Sequence, residues 1–549
     1  MKKSTLLLLA ILALGFFLRF YKLSTLPPGL TWDEAALGYN AYSILKTAKD
    51  EHGAFLPLTF KSFGDYKPGI YVYLTVPFVG IFGLNEVSTR LPSVIAGVLA
   101  IYGIYLLTNL LFREKGPTPK ACPPWRGLNP HFRALLSALI LAISPWHIHF
   151  SRGAWEVNVY TTFLLFAIYF FIKSLKNSKY FIPWVLLSIS SILIYQGAKM
   201  LTPLIFLGLF TIYFPQLKKI LPSWLTSKTN RVVLVLSGLL LSVLLFQNLT
   251  GPAGNRLARL SIFGYKPEMQ GEKLFHNNPL LTTQLVASRY IYHFSPEVLF
   301  YQGSVITERG NLPKQGMLYI TDAFLLILGF MALVKLKNSK SKYLIFSLLF
   351  LSPIPASLTL AEFSTFRALF MVIPLSIIIA LGLNYLLKKT NKIILLPTLA
   401  FIVLNSVLTL NIYFNHSFED LASQFNYGYK QVYEQINSLP ESDNIYFTDI
   451  YGQPYIYYLF YNKFDPATYQ KLNSYKSQGI DVGNVHRVGN KIEFHQFSYT
   501  EIFNHSNTWF VGTRGNIPDE FDINDKRVEY YSEIKIPNQE PVFRLVKTQ

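Results

Sequence analysis

The sequence predicts a polytopic α-helical membrane protein with about eleven spanning helices, followed by a small soluble α/β domain. Three observations carry this expectation. The 549 residues are 51% hydrophobic, 16% aromatic and only 15% charged, with a mean hydropathy of +0.29, whereas a soluble chain carries about 25% charge. Apolar runs of about 17 to 22 residues, long enough to cross a hydrocarbon core, recur from residue 4 to residue 414 and then stop. The basic residues fall largely in short loops between these runs.

The net charge of +19 would suit a nucleic-acid partner if it were gathered on one soluble module, but it is dispersed. The single cysteine, Cys122, excludes an internal disulfide framework and a multi-thiolate metal site. Internal repeats, low-complexity tracts and a nucleotide-binding glycine loop are absent.

The first run, Leu6 to Phe20, follows Lys2 and Lys3. Arg19, Tyr21 and Lys22 stand at its outer end instead of a small-residue cleavage site, so it reads as a signal anchor with a cytoplasmic N-terminus. Five loops are strongly basic: 113–133, 173–179, 218–231, 335–342 and 388–392. The positive-inside rule makes all five cytoplasmic. Two crossings then separate each consecutive pair, with spans expected near 91–111, 134–150, 157–173, 180–197, 200–215, 232–249, 317–334, 343–360, 367–387 and 393–414. Residues 69–84 are apolar, but a crossing there would put 113–133 outside. The segment is also short and broken by Pro77, Gly80 and Gly83, so it reads as an interfacial or re-entrant helix. Residues 21–90 become one long first outer loop, and 250–316 a second. These loops and the C-terminal domain lie outside the cytoplasm, as part of a multi-pass protein of the plasma membrane. The domain boundaries are 1–414 and 415–549.

In the first outer loop, Thr31-Trp32-Asp33-Glu34 precedes an amphipathic stretch from Ala35 to Lys46. Thr31 and Glu34 fit a capping box, and Asp33 would sit in the first turn, where the helix dipole favours an acid. The alternative is a carboxylate held at the membrane boundary to take a proton from a hydroxyl. Further on, Gly64-Asp65-Tyr66-Lys67-Pro68-Gly69 runs into the interfacial helix. Lys67 either snorkels to headgroups or pairs with a phosphate at the same depth.

These motifs, with Tyr71 to Tyr73, Glu86, Arg90-Leu91-Pro92-Ser93, Ser144-Pro145, Ser151-Arg152 and Glu156, resemble the C-type glycosyltransferases. The specific likeness is to protein O-mannosyltransferases and lipid A aminoarabinose transferases. It is strongest over residues 10–200, and each motif alone is weak. It implies a GT-C-like enzyme that takes a sugar from a polyprenyl-phosphate carrier on the outer face, usually with inversion and without a nucleotide sugar. Carried over residue by residue, it makes Asp33 the base, Glu156 an acceptor-site residue and Lys67 a ligand of the donor phosphate. Many members have a second proline where this chain has Gly69.

A polyprenyl phosphate leaves as an anion, so cations must stabilise the developing charge. Lys67, Arg152, Lys199, Arg256, Arg259, Arg289 and Arg367 are the candidates, set in or beside outer loops where basic residues should be scarce. Trp32, Asp65, Tyr66, Tyr195, Tyr292 and His293 are candidates for substrate contact. Tyr290, Phe294, Phe300 and Tyr301 extend the same aromatic patch, which interface belting also explains. His147 and His149 with Glu156 offer a metal reading, but alternate histidines at a helix end are more often interfacial, and no cofactor is required.

Beyond residue 414, a helix is expected over 425–437. Strands are expected at 444–448, 491–497, 508–512 and 528–536, and a helix or strand at 454–461. The reading is a glycosyltransferase, with Glu34 and Glu156 orienting loop and acceptor around Asp33. Its partners are a polyprenyl-phosphate-linked sugar, an acceptor that is a protein, lipid or glycan, and the bilayer. The rivals are a transporter or flippase of lipid-linked sugars, which calls for mid-membrane ionisable residues and repeats, and a membrane-anchored binding protein.

Overall fold

The computed structural model describes residues 3–63, 65–112, 130–250, 262, 279–302, 310, 312–336, 339–359, 363–438, 444–472, 485–537 and 539–549. They form two compact units. The first comprises Met1–Tyr21 and Ser93–Asn415, the second Lys22–Pro92 and His416–Gln549.

The first unit is helical. Among the described residues six helices of the chain are long and apolar enough to cross a membrane: Lys3–Phe20, Glu86–Phe112, Glu156–Ser174, Ala198–Thr226, Leu369–Lys389 and Lys392–Asn415. Several expected spans are helical over shorter runs, among them Phe181–Ile192, Ile320–Val334 and Ser339–Leu351. The chain is a multi-pass membrane protein.

The stretch expected as one helix over 134–150 is two, Pro130–Ile143 and Pro145–Arg152, bent by 57°. Ser144 accepts a hydrogen bond from the His147 N–H, and Pro145 takes the first helical position, so a new helix starts there. The break strands the last carbonyls of the first helix. Arg19, fully buried at the end of Lys3–Phe20, donates to Ala142 O at 2.9 Å and Leu141 O at 3.2 Å. Arg152 returns the service, donating to Leu18 O and Arg19 O, both at 3.1 Å.

Elsewhere small residues let backbones meet. A Cβ on Gly329 would lie 2.0 Å from Ile378 O, and one on Gly382 would lie 1.9 Å from Leu325 O. Ile320–Val334 and Val372–Lys389 therefore pack face to face. Lys392–Asn415 instead turns Ile393, Leu396, Phe401 and Leu404 outward, as a lipid-facing helix does.

The second unit packs residues 22–92 together with the C-terminal segment. Its N-terminal part holds α2 (Trp32–Thr47), the antiparallel hairpin of β1 (Thr59–Ser62) and β2 (Asp65–Pro68), and α3 (Ile70–Phe82), where α1 denotes Lys3–Phe20. The expected interfacial segment is thus one 13-residue helix ended by Gly83 at φ 74°.

Its C-terminal part is a six-stranded mixed sheet in the order β4-β5-β3-β6-β8-β7. The strands are β3 (Asn444–Phe447), β4 (Arg487–Val488), β5 (Ile492–Phe494), β6 (Thr508–Gly512), β7 (Val528–Lys535) and β8 (Pro541–Thr548). β3 runs parallel to β5 and β6, and the outer pairs are antiparallel. The helix expected over 425–437 starts at Tyr429 and runs to Asn437, and a separate short helix, Phe418–Gln424, precedes it. Asn426 and Gly428 take positive φ between them, and a Cβ at 428 would lie 2.9 Å from the Phe543 ring. Pro454–Tyr461 is a helix, with proline in its first turn.

Candidate active site

In the second unit, Thr31 caps α2 as a capping box: its side chain accepts from the Glu34 N–H, and Glu34 accepts from the Thr31 N–H. Asp33 therefore sits in the first turn, where the helix dipole stabilises its charge. Its side chain is 41% exposed. Glu34 is fully buried and faces the other way, into an ion pair with Arg90 at 2.9 Å.

Lys67 lies on β2 opposite Phe60. Its ammonium is bound to the Asp33 carboxylate and stands 4.9 Å from the centroid of the Phe63 ring. The hairpin that carries it needs a glycine at position 69. The Gly69 N–H donates to Leu58 O at 3.0 Å, and a Cβ there would lie 2.8 Å from the same oxygen. A second proline would remove this donor. Trp32, part-buried, sits by Gly452, where an added Cβ would be 3.3 Å from its ring. Tyr66 is part-buried opposite Lys61, and Asp65 pairs with Ser62 in the backbone ladder. Beside α2, Glu51 is held at both ends by Asn40, which donates to its carboxylate at 3.3 Å and accepts its N–H at 3.0 Å.

In the first unit, two expected phosphate ligands converge on one residue that the sequence reading missed. Arg289 donates to the Thr359 carbonyl and Arg367 to the Thr359 hydroxyl, both at 2.5 Å. Thr359 carries no motif, and its only signal was its place at the end of the expected 343–360 span. His293 is buried in contact with Phe363, ring centroids 4.6 Å apart, and Tyr292 meets the same ring at 5.3 Å.

Tyr195 packs on Phe366 at 5.5 Å, and Phe366 also touches Trp155 at 5.3 Å. Glu156 opens the helix Glu156–Ser174 and is part-buried. Lys199 stands in the first turn of Ala198–Thr226, where its own charge and the helix dipole have the same sign and both attract an anion. Arg152 is fully buried on backbone carbonyls, with Phe414 4.9 Å from its guanidinium. That environment makes it a helix-end clamp. Arg256 and Arg259 lie outside the described residues. His147 is turned to Arg19 at 2.7 Å and His149 to Tyr413 at 3.4 Å. Among the described residues no three His, Cys, Asp or Glu side chains group as metal ligands.

No protein-family model matches the chain, and no curated protein matches it in sequence. Solved structures do. The crystal structure of ArnT from Cupriavidus metallidurans bound to undecaprenyl phosphate aligns with a TM-score of 0.54 at 11% identity, covering 99% of this chain and 97% of that one. The apo structure of the same protein aligns at 0.53 and 11%, with the same coverage. The likeness holds at the level of fold: along nearly the full length of both chains, this chain folds as ArnT does.

Proposed function

We propose that this protein transfers a sugar from a polyprenyl-phosphate carrier to an acceptor hydroxyl on the outer face of the membrane, with inversion. The observation that carries the reading is the pairing of Asp33 with Lys67, far apart in sequence and joined in the fold. One is an exposed carboxylate able to take a proton, the other a cation able to meet a phosphate. Asp33 removes the acceptor proton as the acceptor oxygen bonds to the anomeric carbon. The bond from that carbon to the phosphate oxygen breaks, and its electron pair leaves with the polyprenyl phosphate. Lys67 turns from Asp33 to the phosphate, which frees the carboxylate as it neutralises the leaving group. Within the first unit, Arg289 and Arg367, which meet on Thr359, are suited to a lipid phosphate by their planar forks of donors. Holding both substrates removes much of the entropic barrier.

The overlap with ArnT along nearly the full length of both chains supports the reading. The test is incubation of purified protein in bilayers with labelled polyprenyl-phosphate sugars and a panel of hydroxyl acceptors. The expected result is release of free polyprenyl phosphate together with a labelled glycoside. Movement of intact lipid-linked sugar across the bilayer, with no glycosidic product, would contradict it and favour a flippase.

A further inference from the structure

The helix Pro279–Tyr292 ends beside His293, and the ring of His293 closes that end. Its Nδ1 lies 2.7 Å from the Arg289 carbonyl oxygen. A carbonyl only accepts, so Nδ1 carries the hydrogen and Nε2 is left with a bare lone pair. Burial holds the imidazole down to about 4, so the ring is neutral at physiological pH. The residue is 1% exposed, and among the described residues Nε2 has no hydrogen-bond partner. A buried acceptor without a donor is destabilising, and a site that keeps one is suited to a ligand that supplies the donor.

The surroundings define which donor. Arg289, whose carbonyl fixes the tautomer, is one of the two cations that meet on Thr359. A phosphate oxygen carries no hydrogen to give at neutral pH, and a lone pair repels it. A sugar hydroxyl, the nearest being on the carbon next to the anomeric one, has the hydrogen that is needed. Phe363, buried, packs tilted against His293 and edge-on to Tyr292, so the surroundings of the His293 ring are apolar apart from Arg289.

We propose that His293 reads the donor sugar, its Nε2 accepting a hydrogen bond from a hydroxyl of the sugar whose phosphate Arg289 and Arg367 hold. The inference rests on the carrier reading above and assigns sugar recognition to one atom of the first unit. His293 is then a specificity-determining residue with no part in proton transfer.

The experiment measures binding of bare undecaprenyl phosphate and of undecaprenyl-phosphoryl hexoses and pentoses to the full-length protein in nanodiscs. His293→Asn keeps a donor for the Arg289 carbonyl and loses the acceptor at the Nε2 position. His293→Gln places an amide oxygen near that position. For the tightest-binding sugar, His293→Asn is expected to weaken binding roughly ten-fold, the equivalent of one neutral hydrogen bond. Binding of bare undecaprenyl phosphate is expected to stay unchanged, and His293→Gln to recover part of the loss. Equal weakening of sugar-bearing and bare carrier, or no weakening of either, would overturn the inference, as would a panel in which no sugar binds better than the bare carrier. Arg289→Ala and Arg367→Ala separate the two proposals. If bare carrier fails to bind the wild type, or binds these variants equally well, the carrier reading itself falls.

Discussion

Arg90 binds Glu34 with two of its donors, Nε to Oε1 at 2.9 Å and Nη2 to Oε2 at 3.4 Å. The remaining donors go to the carbonyls of Leu23 at 3.2 Å, Pro27 at 3.0 Å and Gly29. Every donor of this buried guanidinium is thus used, and together they fix the segment that enters α2. Asp33 is placed by what its neighbour Glu34 does.

Breaking this pair should be severe. Arg90→Ala leaves Glu34 as an uncompensated buried charge and frees three carbonyls, an expected loss of about 3–5 kcal/mol. Glu34→Gln keeps the shape and part of the hydrogen bonding, and should cost less. Thermal unfolding of the purified variants in detergent ranks them, and equal stability of Arg90→Ala and wild type would contradict the assignment.

Within the second unit the C-terminal segment also holds the segment that leads to Asp33. The Tyr457 hydroxyl donates to Leu30 O at 3.0 Å and accepts from Asn426 at 2.6 Å. Gln470 donates to Ser43, Thr47 and the Asp50 carbonyl at 2.9–3.1 Å. Tyr457→Phe keeps the ring stacked on Tyr429 and strands the Leu30 carbonyl, which should cost about 1–3 kcal/mol. Transfer should slow along with it, because Leu30 precedes the cap of α2. Loss of stability with turnover unchanged would show that the C-terminal segment does not position Asp33.

Beside α2, stability should depend on pH through Glu51 and His52. Burial pushes the Glu51 carboxyl up to about 8 from an ordinary 4.5, against the pull of its Asn40 hydrogen bond. Burial, helped by the charge of Lys61, holds His52 down to about 4 from 6.5. Between 4.5 and about 8 the unfolded chain gives up a proton that folded Glu51 keeps, so stability falls as pH rises through that window. Between about 4 and 6.5 the unfolded histidine takes a proton that the folded one refuses, so its effect runs the other way. Asp50 is raised by burial and adds to the Glu51 trend. The expected result is a decline in melting temperature from about pH 6.5 to 8 and then a plateau, flattened in Glu51→Gln. A decline of the same slope in that variant would rule Glu51 out as its source.

Carrier affinity should depend on the two arginines that share Thr359. Arg289→Ala and Arg367→Ala should each weaken binding of undecaprenyl phosphate roughly ten- to hundred-fold, the range of a charge-assisted hydrogen bond. Because both donate to the same residue, the double variant should lose less than the sum. Full additivity in equilibrium binding would indicate independent roles.

Much of this was legible in the sequence where the signal is local. Thr31 and Glu34 at capping-box spacing gave the start of α2, and Gly83 marks the end of the apolar helix that follows Gly69. Thr508–Gly512, a short apolar run, is a strand of the same bounds. The bend at Ser144-Pro145 had a local signal as well, since serine before proline is a helix start, but the apolar run on either side masks it. The partners of Arg90 and Arg19 were not legible, because a buried arginine's carbonyl acceptors leave no trace in composition. Nor was the packing of residues 22–92 with 416–549, which depends on contacts across more than three hundred positions. Lys67 is the instructive case. Its residue type suggested a phosphate ligand, and the fold adds that it is paired with Asp33.

Single-turnover transfer by Asp33→Asn, from a labelled polyprenyl-phosphate sugar that the wild type accepts, bears most directly on the role of Asp33. The amide cannot take the acceptor proton, so the rate should fall about 10²–10⁴-fold while binding of undecaprenyl phosphate is retained. Transfer at the wild-type rate in that variant would contradict the assignment of the base.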